Sequence, residues 1–279
     1  SAPRLPGDTP LPALPPSPEE WDYLGLARAA RPCLTTSFSA LQDRIEAGEA
    51  PNQGDRDQPG IRPPSGELPK GTHSGQVLHE LLEWADLQEL GDPEAWSRRL
   101  EVRTRIQETL ERHGISSSFE TRVAQVVHGA LTSELPLAWG GSLRVSGCER
   151  VLRELDFLAR FLENERDLLK GSIDVLCERE GRLFILDWKN SLLPDYEWAT
   201  LQEAVERHYR LQAQVYLQAV LACFGIEDEA AYEARFGGIL YVFLRGLPDR
   251  GTWSIRPSWS EVQAWKRDLE RIHREVALV

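Results

Sequence analysis

Asp174, Asp187 and Lys189 are the residues of this chain whose types and spacing could do chemistry. They lie in the stretch Gly171-Ser-Ile-Asp174-Val-Leu-Cys-Glu-Arg-Glu-Gly181-Arg-Leu-Phe-Ile-Leu-Asp187-Trp-Lys189. Apolar β-formers flank the tight-turn dipeptide Glu180-Gly181, which predicts two strands joined as a hairpin. With Glu180 and Gly181 as the whole loop, Arg179 pairs with Arg182 and Asp174 falls opposite Asp187. Side chains alternate along a strand, so Asp187 and Lys189 share a face, and cross-strand pairing adds Asp174 to it. Two carboxylates and an ammonium then converge on a surface otherwise built from Ile, Leu and Phe. Opposed like charges repel, so packing supplies no reason for the arrangement. A divalent cation does: hard oxygen ligands suit Mg²⁺, and the lysine stands where it can act on a water or a phosphate. The competing reading is a solvated strand face, on which Asp-x-Lys is commonplace. A three-residue loop with a glycine bulge would also take Asp174 off the shared face. The full order of Gly-x-x-Asp, short hairpin, Asp-x-Lys and long helix favours the metal site.

The elements that must position these residues follow from periodicity and punctuation. Residues 1–20 hold seven prolines and no helical period, which predicts an extended linker. A short ordered segment is expected over 21–42 and a loop rich in Pro, Gly and acids over 46–70. A first helix is predicted over 71–90 with Val77, Leu78, Leu81, Leu82 and Ala85 as its buried stripe. A second runs from an Asp92 cap and Pro93 to a stop at Gly114, a third over 119–131, and a long one over 198–224. Strands are predicted over 149–157, 172–178, 182–189 and 239–244, the last a continuous apolar run suited to a central position. The final helix opens on a Ser258/Glu261 capping box. It repeats Val262, Trp265, Leu269, Ile272 and Val276 at helical spacing, as a core or subunit contact would. The order is that of an α/β fold with a mixed central sheet.

Further candidates lie outside the hairpin. His79 sits on the first helix, where a lone histidine is more often structural than a ligand. Glu80 and Glu83 compete with it as the helix-borne residue of a metal site, although a neutral imidazole is a competent ligand. Tyr209, Gln212 and Tyr216 stand at i, i+3 and i+7 and so share a helix face. They read either as a polar-edged core stripe or as groups orienting Lys189 or a bound backbone. Glu154 reads as a group supporting Lys189 or as the polar side of an edge strand. Arg245, ending an apolar strand, is a candidate phosphate contact. The nine tryptophans are too scattered to make a base-stacking platform.

The Asp174…Asp187-Trp188-Lys189 pattern resembles that of the PD-(D/E)XK nuclease superfamily. Tyr209-Arg-Leu-Gln212-Ala-Gln-Val-Tyr216 resembles the Gln-x-x-x-Tyr motif of its RecB-like branch, and Gly75-Gln-Val-Leu-His79 the Gly-x-x-x-His motif that opens the same domain. Arg153-Glu154-Leu-Asp-Phe157 is similar to the strand before the catalytic hairpin, residues 236–246 to a late strand, and residues 36–42 to the segment leading in. The resemblance covers residue 21 to the C-terminus. It implies a restriction-endonuclease-like core, a mixed central sheet flanked by helices, over residues 71–279, preceded by a Pro-rich linker and N-terminal extension over 1–70. It implies a Mg²⁺-dependent deoxyribonuclease of exonuclease type, with Mn²⁺ as an alternative metal. Such a domain is the nuclease module of a helicase–nuclease in double-strand-break repair and DNA degradation. Between His79 and its acidic neighbours the resemblance selects His79. It assigns the metal to His79, Asp174, Asp187 and the carbonyl of Trp188, and catalysis to Asp174, Asp187, Lys189, Gln212 and Tyr216. Implied partners are DNA, RecC-like and RecD-like subunits and a helicase region, and the chain has no Walker A sequence of its own. The runner-up readings are a standalone repair nuclease and a nuclease fold kept for protein contact. The second would be expected to have lost the acids or the lysine that this chain retains.

Bulk properties bound these readings. With 279 residues and 41% hydrophobic content, the chain suits one large domain or two small ones. No run approaches the ~20 apolar residues of a membrane span and no secretory h-region is visible, so a cytoplasmic location without membrane contact is expected. The absence of methionine and the Ser1-Ala2-Pro3 start lead to the expectation of a domain from the C-terminal end of a longer protein. Cys33, Cys148, Cys177 and Cys223 are far apart in sequence and lack Cys-x-x-Cys spacing. That argues for small buried residues in a reducing compartment and against an iron–sulfur cluster. The net charge of −12 has the wrong sign for binding phosphates. Either the acidity lies away from the cleft or, as the excised start favours, partner domains carry the basic channel.

Overall fold

In the computed structural model the described residues are 35–37, 60–160 and 168–277. The expected N-terminal linker, most of the segment over 21–42 and Cys33 lie outside them. In chain order the elements are β1 (Thr35–Ser37), α1 (Thr72–Trp84), α2 (Pro93–Arg98), α3 (Leu100–Arg112) and α4 (Glu120–Thr132), followed by a small pair, β2 (Leu135–Pro136) and β3 (Ser142–Leu143). Then come β4 (Arg150–Arg160), β5 (Leu168–Arg179), β6 (Arg182–Lys189), α5 (Trp198–His208) and α6 (Arg210–Cys223). The last elements are α7 (Glu229–Arg235), β7 (Phe236–Phe243), β8 (Thr252–Ile255) and α8 (Trp259–Ala277). The main sheet runs β4–β5–β6–β7–β8, with β1 paired parallel to the start of β5. Besides that pair, β6 and β7 are parallel and the remaining neighbours antiparallel, so the sheet is mixed, as expected.

A hydrophobic core covers each face of this sheet. In the first, Val77, Leu78, Ile106 and Val127 from α1, α3 and α4 pack with Val175, Leu186 and Leu240. In the second, Leu201, Val215, Leu217 and Val262 from α5, α6 and α8 pack with Ile173, Ile185 and Tyr241. The predicted stripe of α1 is fully buried, and Val262 and Leu269 hold α8 to the second core. The capping box forms too: Ser258 N–H donates to Glu261 Oε2 at 2.7 Å and Glu261 N–H to Ser258 Oγ at 3.4 Å. Among the described residues, no helix is long and apolar enough to cross a membrane.

Two helices expected to be continuous are broken. Arg99, with ψ near 134°, separates α2 from α3, and Tyr209, at φ −123° and ψ −2°, separates α5 from α6. Neither residue is a breaker by type; packing on opposite sides of the break sets the corner. The unanticipated α7 and β8 are too short to carry a periodic signal, and each is anchored by a deeply buried aromatic, Tyr232 and Trp253. Of the cysteines, Cys177 is buried, but Cys148 is only partly so and Cys223 is exposed, which corrects the expectation that all are small core residues.

The β4–β5–β6 unit shapes the site. Glu180 (φ 53°) and Gly181 (φ 72°) both take the left-handed conformation of a two-residue hairpin turn, and Arg179 pairs with Arg182. That register holds as far as Val175 opposite Leu186, one step short of Asp174 and Asp187. Strands β4 and β5 pair from Arg150–Glu178 to Arg160–Leu168 with one gap, where Glu154 would meet Asp174. Glu154 there has φ 48°, a region that non-glycine residues seldom enter. Both strands change faces across the gap. Val175 and Cys177 lie in the first core, whereas Ile173 lies in the second; Val151 packs against the first, Leu155 and Phe157 in the second.

Candidate active site

Asp174 stands at this crossing, where neither core claims its side chain. Its Oδ2 accepts a hydrogen bond of 2.7 Å from the main-chain N–H of Trp188. Along β6, Phe184, Leu186 and Trp188 belong to the first core, while Leu183 and Ile185 belong to the second, so alternation turns Asp187 and Lys189 to the second face. Lys189 Nζ lies 2.5 Å from Asp187 Oδ2 and donates to Gln212 Oε1 at 3.1 Å. Gln212 in turn donates from Nε2 to the hydroxyl of Tyr216 at 2.9 Å, both residues riding on α6. The ammonium also sits 4.2 Å from the ring centre of Tyr209 and 5.5 Å from that of Tyr241. From the other side of the sheet, α1 delivers His79. Its Nε2 is 3.2 Å from the carbonyl oxygen of Trp188 and its Nδ1 3.7 Å from Asp174 Oδ2.

Burial and like charge dominate the electrostatics. Asp174 is pushed up to about 7, first by burial and then by the charge of Asp187; His79, Lys189 and the Trp188 N–H act against this. Burial is also the main cause that raises Glu154. The Tyr216 phenol is held well above its ordinary range by burial and by Asp187. The two buried carboxylates of Asp174 and Asp187, close together with little water, invite a cation. His79, Glu154 and Asp174 each offer a ligand atom, and these atoms lie within 4.8 Å of one another. An imidazole nitrogen, carboxylate oxygens and a nearby main-chain carbonyl are a donor set that a hard divalent ion accepts.

The fold thus brings His79, Asp174, Asp187, Trp188, Lys189, Gln212 and Tyr216 to one place. Within it, Glu154 joins His79 and Asp174, while the Asp187 carboxylate is turned to Lys189. The pairing gap explains why Glu154 was ambiguous in sequence: its placement depends on a backbone conformation that residue type does not announce. Antiparallel pairing of 149–157 with 172–178 was the one signal that could have set it opposite Asp174. Glu80 is drawn away from the site into ion pairs with Arg105, Arg112 and His113. Arg245 also corrects the expectation of a phosphate contact. Its guanidinium donates to the carbonyls of Asn190, Leu68 and Pro69, each at 2.8 Å, and straps the entry segment to the end of β6.

A mixed sheet with this hairpin, flanked by helices and gathering acids and a lysine in one place, is the class of nuclease core that the motifs resemble. The model of the PD-(D/E)XK nuclease superfamily matches residues 56–277, and the chain belongs to that superfamily. It is similar to the RecBCD enzyme subunit RecB of Escherichia coli K12, 29% identical over 224 residues, 69% of this chain and 18% of that protein. The RecB subunit of Chlamydia muridarum is 27% identical over 204 residues, 68% of this chain and 18% of its own length. That of Haemophilus influenzae is 25% identical over 223 residues, 69% and 18%. The resemblance carried by the motifs is therefore borne out. The chain matches only 18% of the length of these relatives.

Proposed function

We propose that this domain hydrolyses DNA phosphodiester bonds with a divalent cation, Mg²⁺ or Mn²⁺ in its place, as the exonuclease module of a RecBCD-like helicase–nuclease in double-strand-break repair. The observation that carries the reading is the buried Asp187–Lys189 ion pair beside the His79–Glu154–Asp174 cluster. His79, Asp174, Asp187 and the carbonyl of Trp188 would hold the cation, with Glu154 as a further carboxylate. A bound divalent ion supplies a lowered pKa to water and positive charge against phosphate. Lys189, oriented by Asp187 and Gln212, donates hydrogen bonds toward the reacting phosphate as negative charge develops there. The ammonium has only donors, so it selects the oxygen of the Gln212 amide and leaves the amide nitrogen to the Tyr216 hydroxyl. These roles need no base recognition, so cleavage is largely independent of sequence.

The nuclease domain is proposed as residues 71–279, with 1–70 a linker and extension whose end, at Leu68 and Pro69, Arg245 ties down. A helicase region and RecC-like and RecD-like subunits would deliver the strand, in the cytoplasm. The test is Asp187→Ala, which should fold normally by circular dichroism and lose Mg²⁺-dependent cleavage of single-stranded DNA. A folded variant that cleaves at the native rate overturns the site.

A further inference from the structure

Lys189 is buried with aromatic rings as well as polar partners around its ammonium. The rings of Tyr209 and Tyr241 stack 5.4 Å apart at 27°. Both are fixed. The hydroxyl of Tyr241, fully buried, donates to the main-chain carbonyl of Tyr209 at 3.0 Å, and that of Tyr209 is 3.0 Å from the buried Ser191 Oγ. Tyr209 reaches this place because the helix breaks there, so it sits at the α5–α6 corner, where a continuous helix would have kept it in line with Gln212 and Tyr216.

A desolvated ring face attracts an ammonium without offering it a proton acceptor or a ligand to a metal. Asp187 is a different kind of partner, because the proposed metal site claims the same carboxylate. We infer that Tyr209 and Tyr241 are positioning residues, an aromatic box that keeps the Lys189 ammonium aimed at the reacting phosphate independently of Asp187. The catalytic consequence rests on the nuclease reading; the box itself does not.

Two measurements test it. In the first, Tyr209 is replaced by phenylalanine and then by mono-, di- and trifluorophenylalanine, rings of nearly one size with progressively weaker π faces. Phenylalanine should retain kcat within about twofold, and kcat should then fall stepwise, to about a tenth at the trifluoro ring. KM for an oligonucleotide, Mg²⁺ affinity by calorimetry and the thermal midpoint should stay level along the series, which a purely structural role for the ring would not produce. A flat kcat, or a loss carried by KM, overturns the inference. The second measurement needs no cleavage: in NMR spectra the Lys189 ε-methylene protons should be shifted upfield by the ring currents and should move back in Tyr209→Leu. Unshifted protons in the native protein overturn the box. A protein that shows the shift yet cleaves no DNA keeps the box and overturns the nuclease reading instead.

Discussion

Asp187 and Lys189 form one ion pair but have separable tasks on the reading proposed here, and substitution should separate them. Lys189→Ala should lower kcat by about 10²- to 10³-fold and leave Mg²⁺ affinity nearly unchanged, since an ammonium cannot ligate a cation. Calorimetry showing metal binding abolished with turnover kept would reverse the assignment. Asp174 gives a prediction in pH. Its carboxyl is raised to about 7 in the fold, so the folded state retains a proton that the unfolded chain releases near the ordinary carboxylate value. Stability of the metal-free protein should therefore fall as pH rises through that interval, with the loss complete above about 7. Scanning calorimetry from about pH 5 to about pH 8 should show the thermal midpoint falling without metal, and Mg²⁺ raising it more at the alkaline end. Asp174→Asn should flatten both trends; an unchanged slope would mean that another group carries the dependence. At this scale much was legible. Strand alternation puts Asp187 and Lys189 on one face. The register of the two-residue turn stops at Val175 and Leu186, and Asp174 joins them through the strand crossing rather than by pairing opposite Asp187. His79 was selected by its motif spacing, because physics alone left Glu80 and Glu83 in competition with it.

The strand crossing at Glu154 and Asp174 is the element on which the site depends, and Gly171 protects it. A Cβ at Gly171 would come within 2.5 Å of the ring of Phe157, its partner across the β4–β5 pair. That ring meets Tyr216 edge-on, with centres 5.8 Å apart at 83°. Gly171→Val should therefore cost about 1–3 kcal/mol of stability by overpacking, and should lower kcat through Tyr216, Gln212 and Lys189. Adding Phe157→Leu should recover part of the stability, and strict additivity in denaturant titrations would show that the ring is not the cause. The strands β4, β5, β6 and β7 and the stripes of α1 and α8 could be read from the sequence, the stripes because their apolar spacing is long and regular. The breaks at Arg99 and Tyr209 could not. Both residues suit a helix, and the corners come from packing remote in sequence. Glu154 escaped for a related reason: nothing in its type announces a positive φ.

For the whole molecule, 44 acidic against 32 basic side chains predict that few phosphates are neutralised beyond the cleft. The domain alone should bind DNA weakly, and more tightly with Mg²⁺ or Ca²⁺ present. Every phosphate left without a basic partner flattens the dependence of log affinity on log salt by about one unit, so the domain's salt slope should be shallower than that of a complex with a helicase and a RecC-like partner. Equal affinities and slopes would favour a standalone nuclease. The two cores on opposite faces of the sheet have another effect, on when activity first arises. His79 enters the site from the first core and Gln212 and Tyr216 from the second, and the strands carrying Asp174, Asp187 and Lys189 lie between them. A chain still emerging from the ribosome and not yet made as far as Tyr216 lacks part of the set. One whose second core has not closed holds its lysine unaimed. On the nuclease reading, a copy whose second core is still unmade is therefore harmless to the genome of the cell that makes it.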